Sequence, residues 1–425
     1  MTSTGKARAA AATGAAGTPG ATVNLIVVTL GFTVNFWAWA LLGPLGPGFK
    51  ERLGLSFAAQ SLLVAVPVVV GSLGRIPVGA LTDRLGARIM FPLLSLLTIA
   101  PVLTLTVVDS YPALIATGFV LGLGGTTFAI GVPHVSAWYP PARKGFALGV
   151  FGIGMGGTAI ANFSTVRLAD AYGKNTPFLL VAGLLAGYAV LAFLLLRDPP
   201  GRIPPAGSAL ARVVDVGRLG VTWQLCFLYA VGFGGFVAFS VYLPAYLRTA
   251  YQLTADDAAL RTAGFVVLAV IARPTGGWLS DRFHPVPVLV WCFTGTALFA
   301  VAQAFQPPLM PAATVAFLGM AALLGTASGA VFALVGKVAP ADKVGAVTGV
   351  VGAAGGLGGF IPPLIMGAVY GVEQSYAIGL MLLSDVALAA AVYTAVKMRG
   401  LTTPTAGSGT RPGTPRTAAT GRGRK

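Results

Sequence analysis

Gly74-Arg75-Ile76-Pro77-Val78-Gly79-Ala80-Leu81-Thr82-Asp83-Arg84 occurs twice in the chain, the second time as Ala272-Arg273-Pro274-Thr275-Gly276-Gly277-Trp278-Leu279-Ser280-Asp281-Arg282. At a constant offset of 198, Arg75 aligns with Arg273 and Asp83-Arg84 with Asp281-Arg282. Each copy closes an apolar helix with Asp-Arg and holds one arginine two turns earlier. A rise of about 1.5 Å per residue sets that arginine roughly 12 Å inside the helix end. In a hydrocarbon layer about 30 Å thick this is close to the midplane. An arginine there costs about 2.5–3.5 kcal/mol on insertion scales, so each is a candidate functional residue. Two of them, related by an internal repeat, call for an anion.

Composition supports the membrane setting. Of 425 residues, 56% are hydrophobic and only 9% charged, and apolar runs of spanning length recur from Val23 to Val396. The 58 glycines suit helices that approach closely in lipid. A net charge of +16 would suggest nucleic acid for a soluble protein. Here most Lys and Arg fall in the tails and in alternate loops, which is the positive-inside pattern of a multi-pass protein of the cell (inner) membrane with both termini cytoplasmic. The bilayer, and not nucleic acid, is the expected partner. Lys6 and Arg8 precede a small-residue tract, but the first apolar run is long enough to remain as a membrane helix. Cys226 and Cys292 fall in apolar helices and read as core packing.

The expected fold is an all-α membrane protein of twelve transmembrane helices in two pseudo-symmetric six-helix bundles. Residues 1–22 form a cytoplasmic tail without acids, 23–196 the N-terminal bundle, 197–219 a cytoplasmic linker, 220–397 the C-terminal bundle, and 398–425 a basic tail. Helix 1 is expected over about 23–46 with breaks at Gly43-Pro44 and Gly46-Pro47, leaving Lys50-Glu51-Arg52 in an external loop. Helix 7 is expected over about 220–247 and helix 8 over about 259–280, with Asp256-Asp257 in the loop between them. A second repeat at offset 200 matches Pro140, Gly145, Gly149, Gly152 and Gly156 to Pro340, Gly345, Gly349, Gly352 and Gly356. Parallel repeats imply a pseudo-twofold along the membrane normal and a substrate site between the halves near the midplane.

Arg75 and Arg273 are the leading candidates. All acids but Asp385, on helix 12, fall in loops or at helix ends, so at most one arginine has an intramembrane carboxylate partner. Planar guanidinium forks suit a planar oxyanion. Asp83, Arg84, Arg88, Asp281 and Arg282 read either as topology charges or as a latch between the halves. Phe128, Tyr229 and Phe233 are either core or the walls of a pocket around a flat anion. Met155 and Ala353 follow seam glycines and are candidates to face the substrate. His134 and Asp385 are the possible proton carriers; a packing histidine and a locally bonded acid are the competing readings. There is no GxxxxGK[ST] loop, so ATP is not the energy source. No metal-ligand spacing and no nucleophile–base set occurs, so no cofactor and no enzyme activity are expected.

The chain resembles the nitrate/nitrite porter family of the major facilitator superfamily. The resemblance covers roughly 23–397 and is most specific at Gly124-Gly125-Thr126-Thr127-Phe128-Ala129 and through the block from Gly345 to Pro362. It implies that Arg75 and Arg273 clamp the anion, that Phe128 and Phe233 sandwich it with Tyr229 beside them, and that Asp83, Arg84 and Arg88 form the loop motif between helices 2 and 3. In two places the chain departs from the family. Met155 stands where the family has an anion-contacting asparagine, and Gly352 where some members have a hydroxyl. The implied function is alternating-access transport of nitrate or nitrite; two like charges facing each other in the cavity favour exchange, and a monomer is expected. A carrier of small carboxylates (formate or oxalate) with the same fold and a membrane anion sensor are the alternatives.

Overall fold

The structure is a computed structural model that describes residues 20–139, 141–199, 209–339 and 344–398. Both expected tails, except residues 20–22 and Met398, lie outside the described residues, as do 200–208 of the linker, Pro140 and Pro340-Ala341-Asp342-Lys343.

Among the described residues the chain forms two sets of six long helices. These are α1 (Ala21–Trp39 and Leu42–Leu53), α2 (Phe57–Leu73 and Arg75–Leu85), α3 (Ala87–Thr104), α4 (Tyr111–Leu121, continued through Gly122–Thr127 and Phe128–Trp138), α5 (Pro141–Gly152, Ile153–Gly156 and Gly157–Tyr172) and α6 (Thr176–Leu195). The second half comprises α7 (Gly220–Tyr251), α8 (Ala255–Phe283), α9 (Pro285–Ala304), α10 (Thr314–Val338), α11 (Val344–Gly358 and Ile361–Glu373) and α12 (Ala377–Lys397). Eleven are long and apolar enough to cross a membrane. The other is α8, 29 residues long, whose apolar run is diluted by Asp256, Asp257, Arg261, Arg273, Asp281 and Arg282. The linker includes a short helix, Ala209–Gly217.

Three boundaries differ from expectation. The chain after Trp39 does not leave the helix at Gly43-Pro44. Pro44 cannot donate to the Ala40 carbonyl, and bonding tightens just ahead of it through Leu41 N to Ala38 O and Gly43 N to Ala40 O. Helix then resumes through Pro47, so Lys50-Glu51-Arg52 occupy the last turn of α1, which Gly54 ends at φ 61°. Asp256 and Asp257 are likewise helical. They fill the first turn of α8, where acids offset the helix dipole, and the Thr254 side chain caps the Asp257 N–H. Finally, α7 continues to Tyr251, beyond the expected end near 247.

The two halves pack as related bundles. Between them α1 meets α7, α2 meets α11, and α5 meets α8. Advancing each helix by six exchanges the last two pairs, as a pseudo-twofold requires. Chain direction defines two ends of the molecule. The linker face carries the α2–α3, α6–α7 and α8–α9 connections; the distal face carries the α1–α2, α5–α6 and α7–α8 turns. At the distal face the bundles are bound together: Arg167 pairs with Asp256 at 2.9 Å, Arg248 pairs with Glu51, and Phe57 meets Tyr370 edge-on at 4.5 Å. Deeper on that side, Gly367 lies against Ser61 and Gly356 against Ser72 so closely that neither glycine leaves room for a Cβ.

Candidate functional site

Pro77 sets the position of Arg75. It withholds an N–H from Leu73, and the two pieces of α2 meet at Gly74, where a Cβ would stand 2.5 Å from the Val70 carbonyl oxygen. The glycine run of α4 lets backbone approach backbone: a Cβ on Gly124 would lie 2.7 Å from Asn35 O, and one on Gly125 3.0 Å from Gly71 Cα. This close approach brings the Gly125 carbonyl to Arg75. Arg273 is fixed by a second glycine seam, between α8 and α10. Cβ atoms on Gly276, Gly325 and Gly329 would lie 1.9, 2.1 and 2.1 Å from the carbonyl oxygens of Thr326, Ala269 and Arg273.

Both arginines point into the interface between the bundles. Arg75 is 6% exposed. Its Nη1 donates to Gly352 O at 2.6 Å and its Nε to Gly125 O at 3.4 Å. The Nη2 of Arg273 donates to Tyr229 Oη at 2.7 Å, while Nη1 faces the sulfur of Met155. Among the described residues neither guanidinium has an ion-pair partner. Aromatic faces supply the remaining environment. The Arg75 Cζ lies 5.2 Å from the Phe128 ring centre and 5.8 Å from that of Phe233; the Arg273 Cζ lies 5.4 Å from Phe233 and 5.8 Å from Phe332. Such cation–π contacts contribute about 0.5–2 kcal/mol each, more as water is excluded. Tyr229 stacks on Phe233 at 4.9 Å and 4°. Beside Arg273, a cavity with room for about one water is lined by Met155, Phe233, Phe236, Val270 and Ser328.

The structure thus brings together Arg75, Arg273, Phe128, Tyr229, Phe233, Met155 and Gly352. Gly352 takes part through its backbone carbonyl, and a Cβ there would meet only Phe128, at 3.5 Å. Phe332 is the residue that the sequence reading missed. Repeat arithmetic pairs Phe128 with Ser328, which lines the cavity, while the ring sits one turn further on and packs edge-on to Tyr229 at 4.7 Å. Its spacing of three from the seam glycine Gly329 was the available signal.

Other candidates lie elsewhere. His134 is buried in α4 with its ring edge against Trp138 at 6.2 Å. Asp385 lies within α12 on its exposed side. Asp83, Arg84, Arg88, Asp281 and Arg282 are at the linker face. There the Arg88 N–H donates to Asp198 at 3.4 Å, and Arg282 lies over Trp278 and Phe283 of its own helix. Cys226 and Cys292 are buried free thiols.

A family profile described as Major Facilitator Superfamily matches residues 28–411. A protein of Mycobacterium tuberculosis (strain ATCC 25618 / H37Rv), "Probable nitrate/nitrite transporter NarK2", is 50% identical over 384 residues, covering 89% of this chain and 97% of its own. The chain belongs to the nitrate/nitrite porter family of the major facilitator superfamily. Further members include the "Nitrite extrusion protein" of Bacillus subtilis (strain 168), 38% identical over 370 residues, covering 87% of this chain and 93% of its own. The "Probable nitrate/nitrite antiporter NarK1" of Thermus thermophilus is 33% identical over 369 residues, with coverages of 79% and 82%. Among solved structures, the human organic anion transporter MFSD10 aligns with a TM-score of 0.70 over 88% of this chain and 99% of its own. At 16% identity that likeness concerns the fold alone. This major facilitator protein is a multi-pass membrane transporter.

Proposed function

We propose that this porter carries nitrate and/or nitrite across the cell membrane by alternating access, with Arg75 and Arg273 as the anion clamp. One observation carries the reading: two intramembrane guanidinium groups converge on one aromatic-walled site and hold only neutral acceptors. A small oxyanion supplies the missing charge and meets planar forks with planar oxygens. Phe128 and Phe233, each beside Arg75, would cover its two faces. The names of the relatives favour nitrate and nitrite over other anions.

Exchange follows from the like charges. Closing a low-dielectric site around two guanidinium groups is unfavourable unless an anion sits between them. An empty carrier therefore changes state slowly, and nitrate on one side exchanges for nitrite on the other. The linker face is cytoplasmic by its positive charge, and Asp83, Arg84, Arg88, Asp281 and Arg282 latch the halves there in the opposite access state. The substrate is an inorganic anion and the carrier works as a monomer. His134 and Asp385 stand away from the clamp, which favours exchange over proton coupling.

Thermal stabilisation of the purified protein by nitrate, nitrite, formate, oxalate and chloride tests the reading, with Arg75→Lys and Arg273→Lys alongside. Lysine keeps the charge and loses the fork. Stabilisation by nitrate or nitrite that both variants lose is the expected result. Stabilisation by formate or oxalate instead moves the substrate to small carboxylates, and variants that respond like the unsubstituted protein make the arginines structural.

A further inference from the structure

Hydroxyls buried in these helices generally bond to their own backbone. Thr98, Thr117, Thr262, Thr296 and Ser328 each donate to the carbonyl four residues back. Ser72 on α2 and Thr165 on α5 do not, nor do Thr222 and Ser280 toward the linker face. Ser72 is 1% exposed and Thr165 0%, and neither hydroxyl has a hydrogen-bond partner. Asn162, 0% exposed, donates to Thr158 O at 2.8 Å and across the interface to Ser240 O on α7 at 3.4 Å, while its Oδ1 has no partner. A buried polar group left unpaired is costly and calls for an explanation.

Their placement gives one. On α5, Met155, Thr158, Asn162 and Thr165 follow one another at spacings of three, four and three, which puts them on one helix face. The stripe starts at the residue facing Arg273 and climbs about 15 Å toward the distal face. It ends two residues short of Arg167, whose guanidinium pairs with Asp256 of the other bundle. On α2, Ser72 lies one turn to the distal side of Arg75, and its Oγ stands 2.1 Å from where a Cβ on Gly356 of α11 would be. All three side chains thus lie between the arginine pair and the closed distal face, and Ser72 and Asn162 touch the opposite bundle.

We propose that Ser72, Asn162 and Thr165 line the distal access route and relay the small anion between Arg167 and the arginine pair when the bundles part on that face. This rests on the transport reading above. In the closed arrangement the two hydroxyls and the Asn162 Oδ1 lack partners and so disfavour closure; in the open one, water donates to Asn162 Oδ1 and the hydroxyls donate to water or the anion. Arg167, released from Asp256, is the cation at the mouth.

Two measurements decide it. Thr165→Val keeps the shape and removes the hydroxyl, so it is expected to raise the melting temperature and slow nitrate–nitrite counterflow in proteoliposomes about threefold to tenfold, the effect of one lost hydrogen bond. A merely structural threonine would lower both or leave both unchanged. In parallel, Thr165→Cys is treated with a membrane-impermeant anionic thiosulfonate, with the unsubstituted protein reporting background from Cys226 and Cys292. The introduced thiol is expected to react from the distal side, about tenfold faster when Asp256→Asn is added, and more slowly in nitrate or nitrite. Reaction without protection by either anion keeps the route and discards the nitrate/nitrite reading. No reaction from the distal side in the Asp256→Asn background, or a Thr165→Val carrier as fast as the unsubstituted one, overturns the proposal.

Discussion

Gly329→Ala isolates how far anion binding depends on the position of Arg273. The added methyl would stand 2.1 Å from the Arg273 carbonyl oxygen and 3.2 Å from the Gly277 nitrogen, both backbone atoms that cannot rotate away. Ordinary contact begins near 3.4 Å, so α8 and α10 must separate by about 1.3 Å at this rung, an overpacking that costs about 1–3 kcal/mol. Arg273 sits on the displaced segment. A shift of that size takes the 2.7 Å bond to Tyr229 Oη out of hydrogen-bond range and moves the fork relative to Arg75. The displaced fork then loses one charge-assisted bond to the nitrate itself, worth about 1.5–3 kcal/mol, or about ten- to hundredfold in affinity. Titration calorimetry with nitrate gives the affinity, and thermal unfolding gives the stability. Gly264→Ala on α8, the helix that carries Arg273, is the control, because its methyl meets nothing within 4 Å. If Gly329→Ala lowers the melting temperature yet binds nitrate as tightly as the control, the Arg273 position does not set affinity and the reasoning fails.

Three further outcomes are expected. Tyr229→Phe keeps the ring stack on Phe233 and removes one acceptor from Arg273; stability without anion should drop by about 1–3 kcal/mol, and the gain on adding nitrate should grow, both read by thermal unfolding. Gly352→Ser should fold normally, since its Cβ meets only Phe128 at 3.5 Å, and its hydroxyl beside Arg75 should tighten nitrate binding about twofold to tenfold in calorimetry. Asp385→Asn should leave counterflow rate and its pH dependence unchanged, because the side chain is on the exposed side of α12; loss of transport would return it to the coupling machinery.

Charge was the legible part of the sequence. In a chain with 9% charged residues, an arginine flanked by apolar runs stands out, and a second one at a fixed offset marks the repeat and the two bundles, and with them the pair proposed as the clamp. Glycine spacing singled out Met155 and Ala353, of which Met155 faces Arg273, while Gly352 came from the family resemblance. Helix ends were less legible. Pro44 and Pro47 read as breakers, yet α1 passes through Pro47, since a membrane helix re-satisfies its backbone locally where water would otherwise compete. Phe332 was hidden because rings carry no repeat signal, and its counterpart at the matching offset is Val132, half-buried on α4 and no ring at all.

The two arginines share a sequence position in the repeat but not a set of partners, and the difference bears on how occupancy is coupled to closure. Each bonds one acceptor in its own bundle and one in the other: Arg75 takes Gly125 and Gly352, Arg273 takes Tyr229 and Met155. The cross-interface partner is a carbonyl in one case and a thioether sulfur in the other. Both are neutral, and the sulfur is a weak acceptor. An anion offers charged acceptors to the same donors, about doubling the strength of each bond. In the proposed clamp it would therefore replace the cross-interface contacts with stronger ones that span both bundles. On the proposed reading, closure without anion relies on two neutral contacts against the repulsion of two cations, whereas closure with it would gain a bridge and remove the repulsion.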